Sequence, residues 1–326
     1  MKDEASIILE RIKALGSKDS DFAELVQQMH KLAALAPVSI GTVCEPGTTL
    51  YRGTNHHIAI PSRIEDIWYP PADRICGFGR SNRPTSPIFY CCSDPNGAFR
   101  EIGTRLGQYA VLATWVAVKR MVLHDVGYSG EVLKRAGANR SLPERHATFS
   151  QTLSAEARHV RDFLALAFTD PTAEHYRATA AIAEMLLACD EIAGIMYPAV
   201  EKNANVDNLA LLPEFVRAGL SLTEASAVYI DDVTTDVIGG AVIARLKNVR
   251  DGDLLWEYTG SSTTDIRPHS AVVMTIKPGE RKRITTAGQL QINGLRYDLL
   301  PGYSIELLDD ELVVRDLQGS CVSPMA

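Results

Sequence analysis

Apolar residues recur at helical spacing through the first 37 residues. Ala5, Ile8, Ile12 and Leu15 form one stripe, and Phe22, Leu25, Met29 and Leu32 form a second. Gly16-Ser17-Lys18-Asp19-Ser20 supplies a break and a capping residue between them. The pattern predicts a pair of helices packed on a main domain rather than an arm offered to a partner. From Pro46 the texture changes to short apolar runs. Residues 48–53 predict a strand bearing Tyr51 and Arg52, and a loop rich in Pro, His and Arg then runs to Pro87. Residues 88–92 predict a second strand. Ser93-Asp94-Pro95 starts a helix that carries Glu101 and runs to about residue 106, because a capping residue precedes a proline at the first helical position. Residues 109–122, rich in Val, Ala and Leu, predict one buried strand.

Further on, residues 154–190 predict two helices joined by Thr169-Asp170-Pro171, with Phe163, Leu164 and Ala167 on one apolar face and Ala181, Met185 and Leu186 on the other. Residues 192–200, 208–212, 228–233 and 241–249 return to strand. The tail is strand and turn. Asn293-Gly294 inside 291–297 is a strong hairpin signal, and 305–314 turns at Asp309-Asp310. Helices, then mixed elements, then strands make the class α+β.

Composition narrows what such a fold does. A chain of 326 residues, 46% hydrophobic and 22% charged, supplies one large domain with additions, or two domains. A formal charge of −7 without a basic run argues against general nucleic-acid binding, which needs clustered Lys and Arg; a local basic pocket stays compatible with it. The charged start, MKDEASIILERIKALG, does not read as a signal peptide, and no run nears the ~18 apolar residues of a membrane span. A cytoplasmic location is the expectation. None of the six cysteines (Cys44, Cys76, Cys91, Cys92, Cys189 and Cys321) sits at zinc-ligand spacing, adjacent Cys91 and Cys92 suit neither a tetrahedral site nor an easy disulfide, and the six are expected to be small buried hydrophobes in a reducing compartment. The eight histidines, His56-His57 included, form no metal motif, so no metal is expected. A serine-hydrolase elbow and a P-loop are both missing from the sequence.

Gly77-Phe78-Gly79-Arg80-Ser81-Asn82 begins like a dinucleotide fingerprint. It lacks the third glycine, and Pro84 and Pro87 follow where a helix should begin. An ordered constellation stands out instead: Tyr51-Arg52 in a strand, Arg80 in a glycine-bearing loop, Tyr90 in the next strand and Glu101 on the helix after it. Tyr197-Pro198-Ala199 then closes a strand, and Asn208-Leu209 opens another.

This set resembles the RES domain family, whose toxins degrade NAD and whose fold is like that of ADP-ribosyltransferases. The matching text is LYRGT (50–54), GFGRSNRPTSPIFYCCSDPNGAFREI (77–102) and GIMYPAVEKNANVDNLALL (194–212), within residues 47–232. The resemblance implies an ADP-ribosyltransferase-like mixed β core at 47–232 with a helical insertion. A helical N-terminal arm at 1–46 and a β-rich C-terminal extension at 233–326 would flank it. It implies an NAD-consuming enzyme, a glycohydrolase or phosphorylase that releases nicotinamide, and a cognate antitoxin with a helix-turn-helix as partner; a homo-oligomer is compatible with it. Two positions depart from the family. Ser81 stands where a Trp is usual, and Ala199 stands where the active-site serine falls. A non-catalytic NAD or ADP-ribose binding module, and a transferase acting on a macromolecule, are the rival readings.

The implied roles follow the chemistry of NAD. Arg52 and Arg80 would fork onto the diphosphate oxygens. Tyr51 and Tyr90 would stack on the nicotinamide or its ribose. Asn82, Tyr197, Ala199 and Asn208 complete the expected binding set, and Arg80, Tyr90 and Glu101 the catalytic one. Glu101 would oppose the positive charge that builds on the sugar as the nicotinamide bond breaks. Each residue type has an ordinary alternative: a solvated loop arginine, a core tyrosine with a wet hydroxyl, or a Glu101–Arg105 pair on a helix surface.

Overall fold

The computed structural model describes residues 3–16, 21–56, 60–199, 204–233, 238–258, 281–283, 288–292, 295–299, 302–308, 311–316, 318 and 320–322. Two helices, α1 (Glu4–Gly16) and α2 (Phe22–Leu35), open the chain. Asp21 caps α2 by accepting from the Ala23 amide at 2.9 Å. Strands β1 (Ile40–Cys44) and β2 (Thr49–His56), two 3₁₀ turns at Ile64–Ile67 and Ala72–Arg74, and strand β3 (Phe89–Cys92) follow. Then come α3 (Pro95–Glu101), β4 (Tyr109–Ala117), β5 (Met121–Asp125) and the helices α4 (Gly130–Arg135), α5 (Glu144–Gln151), α6 (Ala155–Thr169) and α7 (Tyr176–Leu186). Strands β6 (Ile192–Pro198) and β7 (Asp207–Leu211), helix α8 (Pro213–Gly219), and strands β8 (Leu220–Val233), β9 (Ile238–Arg250) and β10 (Asp253–Tyr258) complete the main body. The tail holds β11 (Arg281–Arg283), β12 (Gly288–Ile292), β13 (Leu295–Leu299), β14 (Ser304–Leu308) and β15 (Glu311–Arg315).

Ten strands form one mixed sheet in the order β1-β5-β6-β7-β3-β2-β4-β8-β9-β10, so the class is α+β. Period-2 alternation sorts its side chains onto two cores. Ile88, Ile195, Tyr197 and Ala210 face α1, α2, α6 and α7. Leu50, Phe89, Trp115, Leu209 and Leu211 face the other way, over the turn at Ile64–Ile67. The helical pair at the start is built into the first core: Ala5, Ile12, Leu25, Met29 and Leu32 are fully buried there. The sheet also continues past residue 232 without interruption, because β8 pairs with β9 and β9 with β10.

Several elements differ from the sequence reading. The expected single strand at 109–122 is two, because exposed Val118, Lys119 and Arg120 turn the chain between β4 and β5. Helix α3 stops at Glu101 rather than near 106; Gly103 takes a φ of 59° two residues later, the left-handed geometry that ends helices. Arg105 is therefore off the helix, and the four-residue spacing to Glu101 carries no helical meaning. Strands β1 and β10 and helices α4, α5 and α8 were not anticipated. In the tail, β12 and β13 pair antiparallel with Ile292 opposite Leu295. The expected turn residues Asn293 and Gly294 between them lie outside the described residues, as do Asp309 and Asp310 between β14 and β15. No helix among the described residues is long and apolar enough to cross a membrane.

Candidate active site

The sheet is nearly divided in its middle. Strand β2 pairs with β4 along its full length, and β3 pairs with β7 along its own, yet β2 and β3 share a single pair, Tyr51 with Cys92. Beyond that pair the strands part, and a cleft of about 570 Å³ opens between them. Arg52 reaches across. It donates from Nη1 to the Tyr90 carbonyl at 2.6 Å and from Nε to the Trp68 carbonyl at 2.8 Å, with its guanidinium 5.1 Å from the Phe89 ring centre. Burial lowers the Arg52 pKa to about 10, so the group stays cationic at neutral pH.

Helix α3 carries Glu101 to this gap, and two glycines let it lie directly on the strands. A Cβ on Gly97 would meet the Cys92 sulfur at 2.5 Å, and one on Gly53 would meet the Ala98 carbonyl oxygen at 2.7 Å. Asp94 caps the helix by accepting from the Gly97 amide at 2.8 Å, with Pro95 at its first turn. At the other end Asn55 Nδ2 donates to the Ile102 carbonyl at 2.6 Å, fixing the chain next to Glu101.

The glycine-bearing loop supplies the facing wall. The Tyr90 hydroxyl donates to Asn82 Oδ1 at 2.7 Å and accepts from the Ser81 amide at 2.9 Å. Burial raises the Tyr90 pKa, so it remains a neutral phenol. A Cβ on Gly79 would land on Asn82 Oδ1 and within 3.1 Å of the Tyr90 hydroxyl, which is why that position is glycine. Arg80 binds the end of α6: Nη1 donates to the Ala167 and Phe168 carbonyls at 3.3 and 2.8 Å, and Nη2 to the Asp170 carbonyl at 2.9 Å. It satisfies carbonyls that a helix C-terminus leaves open, with its guanidinium 5.1 Å from the Tyr176 ring centre.

Seven of the expected residues line the cleft: Tyr51, Arg52, Arg80, Tyr90, Glu101, Tyr197 and Asn208. Tyr197 is buried against Phe168, their rings 5.3 Å apart, and burial raises its pKa. Asn208 is 4% exposed, and its Oδ1 has no hydrogen-bond partner among the described residues. A buried acceptor left open at a cleft wall suits a donor on a ligand. Two expected residues stand behind the wall rather than on it. Asn82 is the buried partner of Tyr90. Ala199 is fully buried in the connection from β6 to β7, its amide donating to Val206 and its carbonyl accepting from Ala204, both at 2.9 Å.

Asn55, Asp66 and Tyr176 also line the cleft and were missed by the sequence reading. Asn55 follows Tyr51 and Gly53 at strand period and was within reach of that signal; Asp66 and Tyr176 carry none. The cleft thiols are unsuited to attack. Burial pushes Cys92 up to about 12 and Cys91 well above its ordinary value, so neither is a thiolate at neutral pH. Cys44, Cys91 and Cys92 are buried as expected, whereas Cys76, Cys189 and Cys321 are exposed. Among the described residues no cluster of three or more His, Cys, Asp or Glu could hold a metal.

A family model described as RES domain matches residues 49–230, which include every strand and helix that lines the cleft. No match to the chain was found among curated proteins or among solved structures.

Proposed function

The chain belongs to the RES domain family, and from that premise we propose that it consumes NAD in the cleft between β2 and β3, cleaving the bond between nicotinamide and ribose. The observation that carries this reading is the convergence of Arg52, Arg80, Tyr90 and Glu101 on one cleft, beside the open acceptor of Asn208. In the proposed reaction the C1′–N bond breaks and its electron pair goes to the nicotinamide nitrogen. Positive charge then spreads over the ribose ring. The Glu101 carboxylate opposes it at the moment it develops, which lowers the barrier without tightening the ground state. Arg52 offers the guanidinium donors not committed to carbonyls to the diphosphate, and Tyr51 and Tyr90 give aromatic faces to the cationic ring. Water, which gives up a proton to solvent as it adds, or inorganic phosphate bonds to the carbon that carried nicotinamide, giving ADP-ribose or its phosphate ester at that carbon.

One observation favours a second reading. Ala199 has no hydroxyl and is shut off in the wall, which suits a cleft that binds NAD or ADP-ribose without turnover. Purified protein incubated with NAD, with and without phosphate, separates the two: nicotinamide release supports the enzyme, and NAD binding without release supports the binding module. Family membership also makes an antitoxin with a helix-turn-helix the partner to seek, in the cytoplasm.

A further inference from the structure

The cleft holds a second carboxylate, and the motif residues do not include it. Asp66 lies in the 3₁₀ turn Ile64–Ile67 and lines the cleft. It enters from the face of the sheet opposite α3, since Ile67 is fully buried in the core of Leu50, Phe89 and Trp115 while α3 rests on Gly53. Among the described residues no side-chain hydrogen bond or ion pair occupies the Asp66 carboxylate.

The turn that carries Asp66 is held by strands beyond the family match. β9 and β10 join through Asp251 and Gly252, both left-handed at φ 52° and 84°, with Arg250 opposite Asp253, the geometry of a two-residue hairpin. This hairpin grips residues 61–64. The Ile64 amide donates to the Gly252 carbonyl at 2.9 Å, the Leu254 amide to the Ser62 carbonyl at 2.7 Å, and Trp256 Nε1 to the Pro61 carbonyl at 2.6 Å. Arg63 adds a bond to Asp253 Oδ1 at 2.8 Å. The far end of the same segment gives the Trp68 carbonyl to Arg52. Both ends of the segment around Asp66 are thus fixed, one to β10 and the other to the cleft arginine.

We propose that Asp66 binds the adenosine ribose of NAD through its two adjacent hydroxyls, selecting NAD over NADP, and that Trp256 of β10 is a positioning residue for it. The inference rests on the reading of the cleft as an NAD site. A dinucleotide presents two ribose diols, one on each side of a diphosphate. The cleft presents two carboxylates, Glu101 and Asp66, from opposite faces of the sheet, with Arg52 bonded between the Trp68 carbonyl and β3. With Glu101 at the nicotinamide ribose, Asp66 meets the other one. A carboxylate is an acceptor only, so it suits a free diol and repels the 2′-phosphate that NADP carries at that ribose.

Calorimetry of the full chain with NAD and with NADP tests this. The wild type is expected to bind NAD about tenfold or more tighter than NADP, because bringing like charges together at a binding surface weakens binding by at least that factor. Asp66→Asn and Asp66→Ala bring the ratio of the two affinities toward one. Trp256→Phe, which removes the bond to Pro61, narrows the ratio part of the way. A wild type that binds both ligands equally overturns the proposal, as does an unchanged ratio in Asp66→Asn; an unchanged ratio in Trp256→Phe overturns the positioning role. A wild type that binds neither ligand removes the NAD reading itself, and is recognised by the missing NAD signal.

Discussion

Arg140 holds Asp207 by both carboxylate oxygens, at 2.5 and 3.0 Å, one residue before Asn208 turns into the cleft. The Tyr128 hydroxyl donates to the same carboxylate at 2.7 Å, and Ser93 exchanges two bonds with the Asp207 backbone at 2.9 and 3.1 Å. Ser93 leads directly into the cap of α3. The pair therefore ties the entry of β7 to the start of the helix that carries Glu101.

Arg140→Ala leaves a mostly enclosed carboxylate with a single side-chain donor. Such truncations cost about 1–3 kcal/mol. Urea denaturation is expected to show that loss, and NAD affinity should fall with it as Asn208 loosens. A variant as stable as the wild type would mean that the ion pair is not anchoring the strand.

Arg80→Ala acts twice. Its guanidinium caps the end of α6, so the variant loses about 1 kcal/mol or more without any ligand present. If Arg80 also meets the diphosphate, the rise in melting temperature that NAD confers on the wild type shrinks too. Comparing the two melting curves with and without NAD separates capping from binding: a lower starting point with the full NAD shift leaves only the cap.

Glu101→Gln keeps the size of the side chain and removes its charge. Nicotinamide release is expected to fall ~100-fold or more, with NAD affinity little changed. Ala199→Ser puts a hydroxyl into the buried wall rather than into the cleft, and release is expected to change little. Equal, robust release in the wild type and in Glu101→Gln would exclude the electrostatic role.

His124 gives a pH dependence. Burial holds its pKa below the ordinary histidine value, against a smaller opposing effect of Asp125. The unfolded chain then takes up a proton at a pH where the folded chain does not. Stability from this residue is present above about pH 6.5, the usual histidine value, and is lost as pH falls below it. Melting curves at pH 7.5 and 5.5 should separate for the wild type and draw closer in His124→Asn. Among the described residues, the Ser39 hydroxyl, 3.0 Å from Nδ1, is the side-chain partner that variant disturbs.

Much of this cleft was readable in the sequence because its residues sit in local motifs. Tyr51-Arg52, Tyr90 and the capped helix to Glu101 announce strand, strand and helix with short-range signals. What the sequence hid depends on contacts made far along the chain. The bonds of Arg80 to α6 span about 90 residues, and the turn carrying Asp66 is gripped by β10 from nearly 190 residues away. Strand β1 has only Ile40, Val43 and Cys44 as apolar residues, and α5 buries His146 alone, so neither element shows a period to read. His146 is held instead by Asp125 at 3.0 Å and Arg161 at 2.9 Å, a buried polar contact that no hydrophobic pattern foretells.

The single pairing of β2 with β3 divides the ten strands into two leaves of five, β1-β5-β6-β7-β3 and β2-β4-β8-β9-β10. On one side the leaves are glued by packing such as Phe89 edge-on to Trp115, their ring centres 5.4 Å apart. Arg52 stitches the two leaves across this seam, its Nη1 bonded to the Tyr90 carbonyl and its guanidinium set 5.1 Å from the Phe89 ring centre, so one guanidinium joins them where the strand pairing stops.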